Sequence, residues 1–378
     1  MNNRFLLALA TLVGTIIGAG IFGLPYVISK SGVLPGLFYF VVLGGVVLLL
    51  HLMFGEIALR TKEKRRLIGY AEVYLGGWAK KVATISTVVG IVGALLAYII
   101  LAGDFLTLLL SPMLGGNALV YSLAFWLFFS LLVLRGIQTI ARVELLMNGA
   151  LFAAIALIFL FALPHIQLEN FPVFDAAYLF LPYGVVFFAF TGLSAIPEIA
   201  ELFKGRNEKR RLDNLIVYSS LLVGLVNLLF VIAIVGVTGG QTSSNALGGV
   251  VPIVGTGIGT LGVFFGLLAV ATSFLVLGNY LKNSLRYDFR LPYAFSVAIA
   301  LGAPLVLFLL GLREFILVIG IIGAFMAVLD GGLVVLIHRK AARQGNRTPE
   351  YRLRIPQAVA WAVLVFLLAG ALAEILIL

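Results

Sequence analysis

The stretch GTIIGAGIFGLP, residues 14–25, interrupts the first membrane-length apolar segment of the chain with four glycines and a proline. A helix that faces lipid is not broken at mid-depth, because unpaired backbone N–H and C=O groups are strongly unfavourable in hydrocarbon. Broken helices persist where they line a cavity, and there the freed backbone groups can act as ligands. The stretch therefore predicts a binding site inside a membrane protein.

The composition of the chain excludes a soluble fold. Of its 378 residues, 62% are hydrophobic and 11% are charged, whereas soluble domains contain roughly 25% charged residues. The absence of cysteine excludes disulfides, thiolate metal ligands and cysteine nucleophiles. The three histidines are scattered and no nucleotide-binding Gly-Lys motif is present, so neither a histidine metal centre nor ATP-driven activity is expected.

Eleven apolar segments are long enough to cross a bilayer, which takes about 20 residues per crossing. The chain is therefore expected to form one all-α integral membrane domain over residues 1–378. Residues 67–80 are expected to form a helix on the membrane surface, and residues 239–258 an uncharged outer loop. The predicted spans are residues 5–29, 34–59, 83–110, 118–134, 141–163, 177–203, 213–238, 259–285, 291–311, 314–338 and 355–377.

The charges of the predicted loops alternate along the chain. All but two of the 26 Lys and Arg residues fall on the side that includes Arg4, and the exceptions are Lys30 and Arg313. Positively charged loops stay in the cytoplasm, so the N-terminus is predicted to be cytoplasmic and the C-terminus outside the cytoplasmic membrane. The net charge of +10 is then explained by topology and by attraction to anionic lipid, with no nucleic-acid partner.

The sixth span carries a second interruption, FFAFTGLSAIPE, at residues 187–198. When the two breaks are aligned on Gly20 and Gly192, GIFGLP and GLSAIP place glycine, a small residue, an aliphatic residue and proline at the same offsets. Interrupted helices five spans apart are typical of a five-plus-five inverted-repeat transporter, in which helices 1 and 6 are broken. The predicted halves are residues 5–163 and 177–338, with residues 355–377 as an additional helix.

The two breaks are predicted to offer backbone groups of both polarities. Amide N–H groups at the start of the second half-helix, where the dipole is positive, would hold a carboxylate. Unpaired carbonyls at residues 15–17 and 188–191 would accept an ammonium group, so the site suits a zwitterionic α-amino acid. Phe190 is the strongest candidate for the side-chain pocket. The predicted substrate-binding residues are Ile17, Gly18, Ala19, Gly20, Ile21, Tyr98, Phe188, Phe190, Thr191 and Leu193.

The eighth span supplies two adjacent hydroxyl groups in the segment AVATSF, residues 269–274. Such hydroxyls either bond back to carbonyls of the preceding turn or join carbonyl oxygens around a small hard cation, and both interpretations stay open. The predicted sodium ligands are Gly14, Ile17, Ala269, Thr272 and Ser273.

Ionisable residues inside predicted spans are costly and usually functional. Asp104, Glu198 and Asp330 are the candidates for coupling or gating. Each could carry a coupling proton. For Glu198, as for Glu56 and Glu201, pairing with arginines of the loops is the favoured interpretation.

These motifs resemble the amino acid–polyamine–organocation superfamily. The resemblance is carried by GxxxGxGIFxxP at residues 14–25, FTGLSAIPE at 190–198 and TSFL at 272–275. Within the superfamily the chain is most similar to the eleven-span amino acid/auxin permeases and the hydroxy and aromatic amino acid permeases. The resemblance implies the inverted-repeat fold, alternating access, substrate held by spans one and six, and gating by spans three and eight. Residues 141–163 lack the lysine whose ammonium replaces sodium in some members.

The sequence therefore predicts a cation-coupled symporter of neutral, apolar or aromatic amino acids, with sodium or protons as the coupling ion and no other cofactor. Ungated exchange and a sensor that binds amino acids without transport are the alternatives. An enzyme is not expected, because no convergent catalytic set lies on neighbouring spans. A channel would show repeated rings of pore residues instead of two broken helices.

Overall fold

The computed structural model describes residues 3–135, 149, 153–203, 205–254, 256–287 and 289–376. The first part of the predicted fifth span at residues 141–163 lies outside the described residues, apart from residue 149. The helices that position the site are α1 (Asn3–Ile16), α2 (Gly20–Ser31), α3 (Val33–Arg60), α4 (Leu67–Leu75), α5 (Gly77–Leu114), α6 (Ala118–Arg135), α7 (Ala153–His165), α8 (Pro182–Phe190), α9 (Ala195–Leu202), α10 (Arg206–Lys209), α11 (Leu212–Thr238), α12 (Val251–Val254), α13 (Thr256–Tyr287), α14 (Tyr293–Leu309), α15 (Phe315–Gln344) and α16 (Gln357–Ile375).

All regular secondary structure in the described part of the chain is helical, and this part contains no strand. Eight helical stretches, two of which join α8 with α9 and α10 with α11, are long and apolar enough to cross a membrane, and the bent pair α1 and α2 raises the number to nine. Two shorter apolar helices, α7 and α14, occupy the positions of the predicted fifth and ninth spans. The chain is thus an all-helical, multi-pass membrane protein, and the count of eleven spans stays a prediction.

One boundary differs from the sequence-based expectation. The surface helix predicted at residues 67–80 ends at Leu75, and the next helix begins at Gly77. Gly76 between them has a φ of +91°, a conformation that glycine adopts without the penalty of a β-carbon. Trp78 and Lys80 therefore belong to the long helix α5 and not to the surface helix.

Both predicted helix breaks are present. The axes of α1 and α2 differ by 51° across residues 17–19. The second break separates α8 from α9 at residues 191–194. At the first break the Gly18 N–H donates to the carbonyl of Ile16 at 3.0 Å. This short turn replaces the regular i to i−4 bond, so the helical ladder ends there.

The packing of the broken helices is reciprocal. α2 lies against α8; α3 packs on α8 and α9, while α11 packs on α1 and α2. The second span thus contacts the sixth, and the seventh contacts the first. An inverted repeat predicts such an exchange of partners; the residues at which the two halves begin and end stay a prediction.

The centre of the bundle is organised by α5, which packs against α6, α13 and α15. Small residues allow these close contacts, and Gly93 of α5 lies against Ile322 of α15. α15 contains a π-helical segment at Ala327–Gly331, a distortion that is frequent at functional sites. The first half of α15 also packs on α8, so it lies beside one of the two broken helices.

Candidate functional site

The first break exposes donors and acceptors of the backbone. Among the described residues, the N–H groups of Ala19, Gly20 and Ile21 form no backbone hydrogen bond, and neither do the carbonyls of Gly14 and Ile17. The donors lie at the start of α2, where the helix dipole is positive. This end of the break can therefore hold an anion, and the carbonyls on the other side can accept a cation.

Gly18 differs from the prediction made for it. Its N–H is already bonded to the Ile16 carbonyl, so it is not a free donor for a carboxylate. Its importance is spatial, because a β-carbon on Gly18 would lie 3.3 Å from the hydroxyl oxygen of Tyr98 on α5. The structure thus places the first break and Tyr98 side by side.

The second break offers free carbonyls directly beside these donors. The carbonyls of Phe188, Ala189 and Phe190 form no backbone hydrogen bond within the described part of the chain. A β-carbon on Gly20 would lie 2.6 Å from the Cα of Ala189, so the start of α2 and the end of α8 touch backbone to backbone. Donors at one break and acceptors at the other are thereby held next to each other.

The second break is also tied to α3, through a residue that was not among the predicted site residues. The Gly192 N–H donates to Nε2 of His51 at 3.1 Å. His51 is fully buried, and because Nε2 is the acceptor, the proton of the neutral ring lies on Nδ1. Nδ1 has no hydrogen-bond partner. The only signal in the sequence was one histidine in the middle of the apolar second span.

Phe190, the aromatic residue singled out from the sequence, is buried inside the protein. Its ring contacts the ring of Phe40 edge-to-face at 4.9 Å between centroids, and Gly44 and Gly224 flank it. Residues two apart on a helix point about 200° apart, so the half-buried Phe188 faces the other side of α8. Phe190 thus packs against α3 and α11, and its role in the substrate pocket stays a prediction.

The other two predicted residues of this break are Thr191, which is half-buried, and Leu193. Leu193 is buried, and the hydroxyl of Thr191 is buried without a hydrogen-bond partner. An unpartnered buried hydroxyl is costly, and it is available to a ligand that reaches the break.

The predicted sodium ligands are only partly free. The Thr272 hydroxyl is buried and donates to the Ala269 carbonyl at 3.0 Å. Back-bonding to the preceding turn thus occurs, although the hydroxyl oxygen still has lone pairs that could face a cation. Ser273 is half-buried. α13, which carries both hydroxyls, packs chiefly against α5 and α6.

Two of the predicted coupling residues lie inside the bundle. Asp330 belongs to the π-helical segment of α15, is 5% exposed, and its Oδ1 has no hydrogen-bond partner. Asp104 on α5 accepts a hydrogen bond of 3.4 Å from the Asn245 side chain. Asn245 lies in the predicted outer loop at residues 239–258, so Asp104 connects α5 to that loop.

The third, Glu198, lies at the surface and is paired. It forms a salt bridge of 2.9 Å with Arg66, and the neighbouring Glu201 forms one of 3.0 Å with Lys64. The Arg66 guanidinium also lies 6.0 Å from the centroid of the Tyr280 ring on α13. The segment between α3 and α4 is thereby connected to α9 and α13.

Glu56 serves as a structural clamp at the same end of the bundle. Its buried carboxylate accepts hydrogen bonds from Arg60 at 2.8 Å, from His338 at 2.9 Å and from the Leu353 N–H at 2.8 Å. Next to it, the Tyr351 hydroxyl donates to a carbonyl of α3. Burial raises the pKa of Tyr351 well above its usual value, which keeps this hydroxyl a donor. These contacts join the ends of α3 and α15.

A helical membrane bundle with two adjoining breaks, one rich in free donors and the other in free acceptors, defines a membrane permease. The sequence profile of the tryptophan/tyrosine permease family matches residues 1–374. The chain belongs to this family. It is therefore a multi-pass permease and not an enzyme, as the sequence predicts.

Individual relatives are more distant. The chain is 23% identical over 240 residues to "Glutamine transporter 2" of Aliivibrio fischeri, an alignment that covers 62% of this chain and 62% of that protein. The structure is similar to that of MhsT in complex with L-phenylalanine, with a TM-score of 0.71, 16% identity and coverage of 100% and 98% of the two chains. It is also similar to Mhp1 in an inward-facing conformation, with a TM-score of 0.67, 15% identity and coverage of 99% and 90%. At these identities the structural likeness shows the fold alone.

Proposed function

We propose that this chain is a cation-coupled symporter of neutral amino acids with apolar or aromatic side chains, and that it works by alternating access. The observation that carries the proposal is the contact at Gly20 and Ala189, which places free N–H groups beside free carbonyls. The carboxylate of an α-amino acid would bind the N–H groups at the start of α2. Its ammonium group would bind carbonyls at the end of α8.

The relatives support the same ligand class. The family is named for tryptophan and tyrosine, one relative is named for glutamine, and one similar structure holds phenylalanine. All four are neutral α-amino acids that share the zwitterionic backbone. Tyr98 and the half-buried Phe188 supply aromatic surface near the breaks, which favours an apolar or aromatic side chain over glutamine.

Uptake into proteoliposomes tests this proposal. Labelled tryptophan, tyrosine, phenylalanine and glutamine are supplied under a sodium gradient and, separately, under a proton gradient. Accumulation of an aromatic amino acid against its own gradient supports the symporter. Uptake that occurs only when the vesicles contain unlabelled amino acid indicates an exchanger. Binding without flux indicates a sensor, and neither binding nor flux contradicts the proposal.

The coupling ion is proposed to be sodium, bound by the carbonyls of Gly14, Ile17 and Ala269 and the hydroxyls of Thr272 and Ser273. The Gly14 and Ile17 carbonyls have no backbone partner, and neutral oxygens suit a hard cation of this size. The second candidate is the proton. It is favoured by Asp330, a buried carboxyl with an unpartnered oxygen at a π-helical segment.

Substitution of both hydroxyls distinguishes these ions. We expect Thr272→Ala/Ser273→Ala to raise the sodium concentration that gives half-maximal uptake by about tenfold or more, equivalent to about 1.4 kcal/mol of lost binding free energy. Thr260→Ala, at an exposed position of the same helix, is the matched control and should leave the sodium dependence unchanged. An unaltered sodium dependence in the double variant would exclude this site.

The proposal also includes the orientation of the chain in the membrane and a gate on its cytoplasmic side. With the N-terminus in the cytoplasm and the C-terminus outside the cytoplasmic membrane, the Arg66–Glu198 pair lies on the cytoplasmic side. There it would hold α9 against the segment between α3 and α4 while the inner side is closed. Both side chains are about half exposed, and such surface pairs contribute roughly 0.2–1 kcal/mol.

Charge reversal tests this gate. We expect Glu198→Arg to lower the uptake rate by about twofold to fivefold, because a repulsive pair disfavours the inward-closed state by about the amount that the salt bridge stabilises it. The double variant Arg66→Glu/Glu198→Arg should recover most of the rate. The measurement compares the uptake rates of the single and double variants with the uptake rate of Glu201→Arg. A double variant no better than the single one would show that the pair does not act as a gate.

A further inference from the structure

Three helices meet around a buried carboxyl group that the proposed transport site does not use. Glu374, in the last turn of α16, is 1% exposed. A β-carbon on Gly184 of α8 would lie 2.6 Å from its Oε2, and one on Gly320 of α15 would lie 2.8 Å from its Oε1. The carboxyl group therefore fills a space that two glycines leave open, where α8 and α15 cross in close contact.

The surroundings of this carboxyl group suit its protonated form. Neither of its oxygens forms a hydrogen bond, and no lysine or arginine of the described residues pairs with it. The Gly184 N–H faces the carboxyl from the first turn of α8 without completing a hydrogen bond. The Gly320 carbonyl oxygen points into the same space. A carboxylic acid can donate to such an oxygen, whereas a buried carboxylate without a cation is strongly unfavourable.

The titratable neighbours of Glu374 are two phenols. Tyr183 on α8 and Tyr39 on α3 both interact with its charge, and their ring centroids are 6.1 Å apart. On α15, Asp330 and the basic residues at 338–343 lie several turns beyond the crossing. No positive group faces the carboxyl from α3, α8 or α15 among the residues that the structure describes.

We propose that Glu374 is a proton-binding site that links the packing of α8 against α15 to the pH outside the membrane. With the proton bound, the neutral carboxyl lies in the crossing and the three helices stay packed. When the O–H bond breaks and the proton leaves to the outer solution, the carboxylate is drawn toward water and the crossing opens. This inference rests on the orientation and alternating access of the proposed function, and it adds a site that the substrate and sodium ligands do not include.

Binding or loss of this proton would affect transport, because the crossing lies beside the first break. α8 carries Ala189, which touches Gly20, and α15 carries Ile319, which lies against Gly23 of α2. Opening of the crossing would therefore loosen the packing around the first break from the outer side. A higher external pH is expected to increase access from outside, and a lower pH to keep this side closed.

The absence of native cysteine allows a direct test without substrate. Ile316 of α15 is buried against Gly23, so Ile316→Cys places a thiol where opening of the outer side would expose it. The rate of labelling by a membrane-impermeant maleimide is measured in proteoliposomes from about pH 5.5 to about pH 8. The comparison is between Ile316→Cys alone and the same variant with Glu374→Gln.

With Glu374→Gln, the labelling rate should rise with pH only because the thiol itself ionises. With Glu374 present, we expect the rate to rise by a further factor of about three or more, and this additional factor is the excess due to Glu374. Glu374→Asp keeps an ionisable group and should retain the excess. Glu314→Gln removes an exposed carboxylate just before α15 and should also retain it. Identical pH profiles with Glu374 and Glu374→Gln, or loss of the excess in Glu374→Asp, would overturn the proposal. Because the assay needs no amino acid and no ion gradient, its failure would leave the proposed symport untouched, and failure of uptake would not affect this result.

Discussion

Replacing Gly18 by valine is expected to abolish amino acid binding while the folded protein is retained. The valine side chain would enter the space between the first break and the Tyr98 hydroxyl, which a β-carbon alone would approach to 3.3 Å. It would block access to the free N–H groups at the start of α2. We expect the dissociation constant for tryptophan to rise by about 100-fold or more, equivalent to about 2.8 kcal/mol. Binding of labelled tryptophan to the purified protein measures this change.

Two other glycines provide the controls for this experiment. Gly45 on α3 has no neighbour where a β-carbon would lie, so Gly45→Val should bind normally. Gly20→Ala should instead destabilise the protein by roughly 1–3 kcal/mol through overpacking against Ala189. The melting temperature and the gel-filtration profile separate the two effects. If Gly18→Val bound tryptophan as well as Gly45→Val does, the proposed location of the site would be wrong.

His51→Leu is expected to lower transport by at least about tenfold, because it removes the only described acceptor for the Gly192 N–H. A buried N–H left without a partner costs about 1–3 kcal/mol, and the break in the sixth span would rearrange to avoid this cost. The uptake rate and the melting temperature are both expected to fall.

His51→Gln separates the hydrogen bond from the packing. Its amide oxygen can accept from the Gly192 N–H, so we expect this variant to recover a large part of the activity that His51→Leu loses. His165→Leu, at an exposed position, is the matched control and should transport normally. Equal losses in the Leu and Gln variants would show that His51 contributes through its volume and not through its hydrogen bond.

The sequence predicted those features that depend on local composition. Glycines and a proline inside apolar segments were sufficient to locate both breaks, at residues 14–25 and 187–198. The free N–H groups at Ala19 and Gly20 also follow from local rules, because the first turn of any helix leaves its donors unpaired. The helical class and the membrane location follow from hydropathy in the same way.

The features that depend on distant parts of the chain could not be predicted in this way. The direction of Phe190 is decided by α3 and α11, which pack on the side of α8 that it faces. His51 meets Gly192 and Glu374 meets Gly184 only in the folded protein. Both His51 and Glu374 are polar residues in largely apolar spans, and no local sequence pattern indicates which residue either one contacts. The hydrogen bond of Gly18 is a different case, since the sequence predicts a break but not which turn forms there.

The backbone contact between α2 and α8 has a consequence for selectivity. Because the backbones of Gly20 and Ala189 are in contact, the anion-binding end of the site on α2 and the cation-binding end on α8 are held close together, at a short separation. Such a site selects for the spacing between the ammonium and carboxylate groups of its ligand more strongly than for the side chain. Lengthening the ligand backbone by one methylene would therefore be resisted more strongly than exchanging one neutral side chain for another.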